Sequence, residues 1–241
     1  MKSIILPLIA LILAGCSTAQ FDNGWEKTKE ASYNAATDYV TWVPAAVSVA
    51  LYATDYDKDI TNYFRDHHWI GGEEDDEFYR AINHYETLST AFLIDDPDYE
   101  QKGKRALVEF TGLEATKQTS TFLEKNIHKK SPDGTNNGSI GSHHALDHFA
   151  SSAMNRRNVE QMDIQEWGKY TLNTISYTSA SASALSRVQD GGHSFADQLV
   201  SASIGNFMGL FLHDLFMLDA TTNIALSLND SEAKVHIGFR Y

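Results

Sequence analysis

Residues 207–218 read Phe207-Met208-Gly209-Leu210-Phe211-Leu212-His213-Asp214-Leu215-Phe216-Met217-Leu218, and their reading decides the fold. As a membrane span the stretch would hold His213-Asp214 in hydrocarbon, where an aspartate costs about 2.5–3.5 kcal/mol even on the mildest scale. As the central helix of an all-α bundle, over roughly 192–218, the same residues bury their apolar side chains and keep His213 and Asp214 as a hydrogen-bonded pair. The second reading is the expectation.

Working outward, the pattern predicts further helices near 25–39, 103–128, 142–155 and 163–187. In the long helix 103–128 the apolar positions Leu107, Phe110, Leu113 and Phe122 are the expected core contacts. Pro44 opens an apolar stretch, Ala45–Ala53, which has no polar face and reads as a short buried helix. Asp55, Asp57 and Asp59 alternate like a calcium loop, but Ile60 stands where such a loop needs glycine, so they mark an acidic helix start. Gly71-Gly72 and the segment Ser131 to Gly138 are loops. After Leu218 the period changes: Ile224, Leu226 and Leu228 alternate, then Val235, Ile237 and Phe239, around Asn229-Asp230-Ser231. That predicts a small C-terminal β-hairpin over 222–241.

At the other end, Lys2 precedes an apolar run, Ile4 to Leu13, too short to span a bilayer permanently. Leu13-Ala14-Gly15-Cys16 follows and resembles the lipobox of bacterial lipoproteins. That resemblance implies removal of residues 1–15 and lipidation of Cys16, the single cysteine of the sequence, so an internal disulfide is excluded. The expected organisation is a signal peptide (1–15), a lipidated tether (16–24) and one helical domain (25–241). The expected location is the bacterial envelope on the periplasmic face, with the membrane reached through the anchor alone. Without Lys2, 18 Lys+Arg stand against 32 Asp+Glu, a net charge of −14. That balance excludes nucleic acid and broad anionic surfaces as partners, and any phosphate site must be a local basic pocket.

Chemistry concentrates in two clusters. The stronger is Ser186-Arg187-Val188-Gln189-Asp190-Gly191-Gly192-His193-Ser194-Phe195-Ala196-Asp197. A glycine pair separates two helices, placing Arg187 at a helix C-terminus and His193 at a helix N-terminus. Arginine offers a planar fork matched to phosphate oxygens, and the helix start adds free N–H groups. Asp197, four residues after His193, shares its face and can hold one imidazole nitrogen protonated, leaving the other as a nucleophile. The second cluster is Ser139-Ile140-Gly141-Ser142-His143-His144-Ala145-Leu146-Asp147-His148.

The first cluster resembles the third motif of the type 2 phosphatidic acid phosphatase and vanadium haloperoxidase superfamily: Ser-Arg, five residues, His, three residues, Asp, with Gly205 where the family often has glycine. The second is similar to that family's second motif, with Ser142 and His144 in register, Gly141 in place of proline and His143 in place of glycine. The likeness covers roughly 103–205. Where the family's first motif carries a lysine and an arginine, this sequence has Glu124 and Ser131; Lys130 near the loop can swing in, and Lys125 and Lys129 lie beside it.

The resemblance implies a helical bundle of the acid phosphatase/haloperoxidase type and a hydrolase of phosphate monoesters that needs no metal or cofactor. Arg187, Ser142, Lys130 and the backbone N–H groups at His143 and His144 would hold the phosphoryl oxygens. His193 would attack phosphorus to give a phosphohistidine, Asp197 would orient it, and His144 would serve the leaving group. Vanadate should bind the same pocket, and the substrate would be a small phosphorylated ester or a lipid phosphate. Two alternatives stand beside this reading. Glu124 and Ser131 also suit a weakened or inactive binding lipoprotein of the same shape. The i,i+4 pairs His144/His148 and His193/Asp197 could instead make a zinc or iron hydrolase.

Overall fold

A computed structural model describes residues 18–71, 73–95, 98–135, 140–217, 222–229 and 232–239; the expected signal peptide and Cys16 lie outside them. The described part is mostly helical, with eight α-helices. These are α1 (Thr18–Thr37), α2 (Tyr39–Tyr52), α3 (Tyr56–His67), α4 (Glu73–Leu93), α5 (Tyr99–Asn126), α6 (His143–Gln161), α7 (Glu166–Gln189) and α8 (Phe195–Met217). The backbone of β1 (Thr222–Asn229) pairs antiparallel with β2 (Glu232–Phe239), Thr222 opposite Phe239 and Asn229 opposite Glu232.

α8, the stretch on which the fold reading turned, lies at the centre, against α1, α2, α5 and α6. Among the described residues it is the one helix long and apolar enough to cross a membrane, and half of its apolar window is buried by its neighbours. Gly205 and Gly209 explain the closeness of α6. A Cβ at either would collide with the backbone of Leu146 or Ala150, so two small residues one turn apart let the helices approach. His213 and Asp214 are both 2% exposed, but His213 Nδ1 and Asp214 Oδ1 are 3.6 Å apart. The strong partner of Asp214 is Arg157, which donates to both its oxygens, at 2.8 and 2.7 Å. The expected pair is therefore an Arg–Asp fork with His213 beside it.

α1 and α2 are separated by Asp38 alone, whose carboxylate caps α2 through Val40 N–H at 3.0 Å and receives Arg156 and Asn206. α1 starts at Thr18, inside the segment read as a tether, and α2 starts five residues before Pro44. Two expectations about burial are corrected. In α5 the inward residues are Lys104, Arg105, Val108, Glu109, Gly112, Thr116 and Ser120, whereas Phe110 and Phe122 are exposed. In α2 it is Thr41 and Ser48 that are buried, and the apolar arc faces outward.

Both corrections share one cause, buried polar partners: α2 meets Ser203 and Asn206 of α8, and α5 meets a polar interior between α4, α6 and α7. Asn83 donates to Ser152 at 2.9 Å, Thr87 bonds Ser151 at 2.7 Å, and Asn158 donates to Glu109 at 2.6 Å. Buried polar groups need such partners. Small polar side chains therefore select one another across the helices, beside buried apolar ones such as Val108 and Met154, and Phe110 and Phe122 are left outside. Burial pushes the Glu109 carboxyl up to about 8, against the pull of Asn158 and Arg105.

Candidate functional site

The turn between α7 and α8 forms as the glycine pair requires. Gly191 has φ +78°, the left-handed region that glycine adopts without strain, and His193 N–H donates back to Arg187 C=O at 3.3 Å. The loop after α5 docks on this turn, with Asp133 N–H donating to Gly191 C=O at 3.2 Å. Asp133 is held at about 2 by the Ser131 hydroxyl and by the backbone and side chain of Thr135. The start of α6 is tied to the same region: Ser142 N–H donates to Ser201 Oγ at 2.9 Å, and Ser201 donates to Asp197 C=O at 2.9 Å. The Ser201 hydroxyl thus bridges backbone groups of the two motif segments.

Asp197 is fully buried. Its Oδ1 receives Lys129 Nζ at 2.7 Å and the Tyr52 hydroxyl, and its Oδ2 receives Ser194 N–H at 3.3 Å. Lys129 also reaches Ser194 Oγ at 3.2 Å, lies 3.8 Å from Asp57, and sits over the Tyr52 ring at 4.5 Å. Burial and the Asp197 carboxylate together push the Tyr52 phenol far up, so it stays protonated and donates. Asp57 and Thr61 of α3 cap α8, accepting Ala196 N–H at 2.8 Å and Phe195 N–H at 3.0 Å. The expected loop cation, Lys130, is exposed; its neighbour Lys129 is the lysine that enters.

Ser142 Oγ and both amide atoms of Gln198 are buried with no hydrogen-bond partner among the described residues. Ser142 is bonded to Ser201, which lies three residues along α8 from Gln198, so the two unmatched groups face one interface.

His143 and His144 engage a second group. Their rings lie 6.0 Å apart. His144 is in electrostatic reach of Glu124, whose carboxyl burial pushes up while His144 and Lys125 pull it down. Burial pushes His143 down, against the nearby Asp147 carboxylate, with Lys117 and Arg80 also close. Asp147 Oδ2 bonds His84 Nε2 at 2.8 Å. Burial pushes Asp147 up, but the His84 bond and the charges of His84, His148 and His143 outweigh it and hold the group below its usual range. Among the described residues no three His, Cys, Asp or Glu side chains gather to hold a metal ion, so His144, His148, His193 and Asp197 do not assemble as one ligand set.

The sequence reading missed Tyr52, Asp57, Lys129 and Gln198. Lys129 carried a signal, lying one residue from the lysine chosen, but Tyr52 and Asp57 are about 140 residues away from Asp197 and no local pattern links them. No family model, no curated protein and no solved structure matches the chain.

Proposed function

We propose that the protein is a metal-independent phosphatase of phosphate monoesters, anchored in the bacterial envelope, with its site at the α7–α8 turn. One observation carries the reading. Lys129 reaches Asp197 and Ser194 at the turn that holds Arg187 and His193, so a second cation supplements Arg187 where the first-motif cations are missing. The unmatched Ser142 hydroxyl and Gln198 amide add buried donors at the start of α6, a helix end suited to anions. In the proposed reaction His193 attacks phosphorus as the ester P–O bond breaks, and His144 gives a proton to the leaving oxygen. Water then attacks the phosphohistidine, releasing phosphate and freeing His193. The finer fold reading belongs to the same proposal: a bundle of the acid phosphatase/haloperoxidase type closed by the C-terminal hairpin.

A second reading, an inactive binding protein of the same shape, is favoured by one specific arrangement. Lys129 already lies between Asp57 and Asp197, and the Glu124 carboxyl lies beside His144. Turnover of p-nitrophenyl phosphate decides between them. The enzyme reading expects turnover that resists chelators, is inhibited by vanadate, and is abolished by Arg187→Ala and by His193→Ala. Chelator-sensitive turnover, or turnover indifferent to both substitutions, overturns the site. Absence of turnover, with vanadate still protecting His193 from chemical modification, establishes the binding protein.

A further inference from the structure

α2 is built inside out. Its two small polar residues point inward, Thr41 being 8% and Ser48 1% exposed. Thr41 C=O accepts from Ser203 Oγ at 2.7 Å and its hydroxyl from Asn206 at 2.9 Å. Ser203 and Asn206 of α8 thus fix which side of α2 faces the core. The outward arc carries Tyr39, Trp42, Val43, Ala46, Val47 and Val49, with Val49 67% and Trp42 53% exposed. The arc is continuous along the helix and carries no charged residue, the composition of a contact face rather than of a solvated one.

We infer that this face of α2 rests in the interfacial layer of a zwitterionic lipid leaflet. The inference rests on the reading of Cys16 as the lipid attachment point. Cys16 stands two residues before α1, and α1 leads into α2 through Asp38 alone. A second copy of the chain is a poor occupant by area. Fourteen residues make a helix about 21 Å long and about 10 Å wide, so one face offers about 200 Å². A standard interface needs about 800 Å² per partner. A leaflet demands no such complementarity, and tryptophan and tyrosine favour its headgroup level. Stable attachment takes two signals, and a tethered chain meets the leaflet at high effective concentration. The lipid is zwitterionic because the exposed Asp55 and Asp59 follow the helix and would repel an anionic surface. Docking here also holds the candidate site near the leaflet, since Tyr52 at the end of α2 donates to Asp197.

The test uses the full chain purified from bacterial membranes and reconstituted in phosphatidylcholine vesicles. Cys16 is the only native cysteine, so a lipidated Cys16 leaves Val47→Cys as the sole free thiol for an environment-sensitive fluorophore. Glu114→Cys, on the exposed side of α5, is the control. The expected result is a blue shift at position 47 and loss of most of its emission to bromine-labelled lipid tails, with neither at position 114. Intact mass of the same preparation reports the lipid on Cys16 separately. Lipid present without quenching at position 47 overturns the docking face and leaves the anchor standing. Quenching that persists in the Cys16→Ser/Val47→Cys chain, where position 47 carries the one thiol, supports the face and removes the anchor. A Val47→Cys disulfide dimer without quenching overturns the inference in favour of a second copy.

Discussion

Asp197 and Asp147 are both buried carboxylates near the starts of central helices, α8 and α6, and the structure holds them in opposite ways. Asp197 meets a permanent cation, Lys129, and two further donors, Tyr52 and Ser194 N–H. Asp147 meets an imidazole, His84, which is charged only when protonated. The first carboxylate is held by an ammonium group and two neutral donors, the second by a ring that carries charge only when protonated. The lysine-held carboxylate lies at the turn with Arg187 and His193, where the phosphatase reading needs cations.

Breaking the fixed pair should have the largest effect. Lys129→Met leaves Asp197 buried without its cation, and we expect a loss of about 3 kcal/mol in denaturant unfolding. Lys130→Met, on the exposed neighbour, should stay within about 0.5 kcal/mol. Adding Asp197→Asn to Lys129→Met should recover part of the loss, because the uncompensated charge is gone. Equal costs for the two lysines, or no recovery in the double variant, would show that Lys129 is not what holds Asp197.

The two carboxylates are coupled mechanically through the contact between α6 and α8. Gly205→Ala puts a methyl group into the backbone of Leu146, one residue before Asp147. Forced separation of packed helices costs about 1–3 kcal/mol, so we expect about 2 kcal/mol with the α-helical circular dichroism unchanged. Gly103→Ala, where a Cβ meets nothing within 4 Å, should stabilise or do nothing. A loss at position 103 matching that at 205 would remove the close-approach explanation.

These contrasts show which features could be read in the sequence. Helix existence was legible from periodicity and from the Gly191-Gly192 break, and so were the acidic start at Asp57 and Asp59 and the central place of α8. The facing of α2 and α5 was not. Apolar positions predict the buried side only when the core is apolar, and here Thr41, Ser48, Glu109 and Thr116 face inward because other buried polar groups await them. At the site, Arg187, His193 and Asp197 were legible as one turn, since eleven residues span them. Tyr52 and Asp57 were not, because their link to Asp197 exists only after α2 and α3 have packed on α8.

The smallest expected effect sharpens the comparison most. His84→Ala removes the bond to Asp147 Oδ2, and at neutral pH it should cost about 1.5 kcal/mol. The sign with pH follows from the direction of the Asp147 shift, which is downward from the ordinary value of 3.8. A carboxylate held low in the fold contributes its stability in full above the unfolded value and loses it as the pH falls through the folded one. The wild type and His84→Ala should therefore differ at neutral pH and converge in acid, where Asp147 is protonated in both. Lys129→Met gives the contrast: at neutral pH its deficit should be about twice as large, because Asp197 is the more deeply buried. Urea unfolding followed from about pH 7 down to about pH 2 measures both curves. A constant offset for His84→Ala across that range would mean that its role is packing and that its bond to Asp147 is not what holds that carboxyl low.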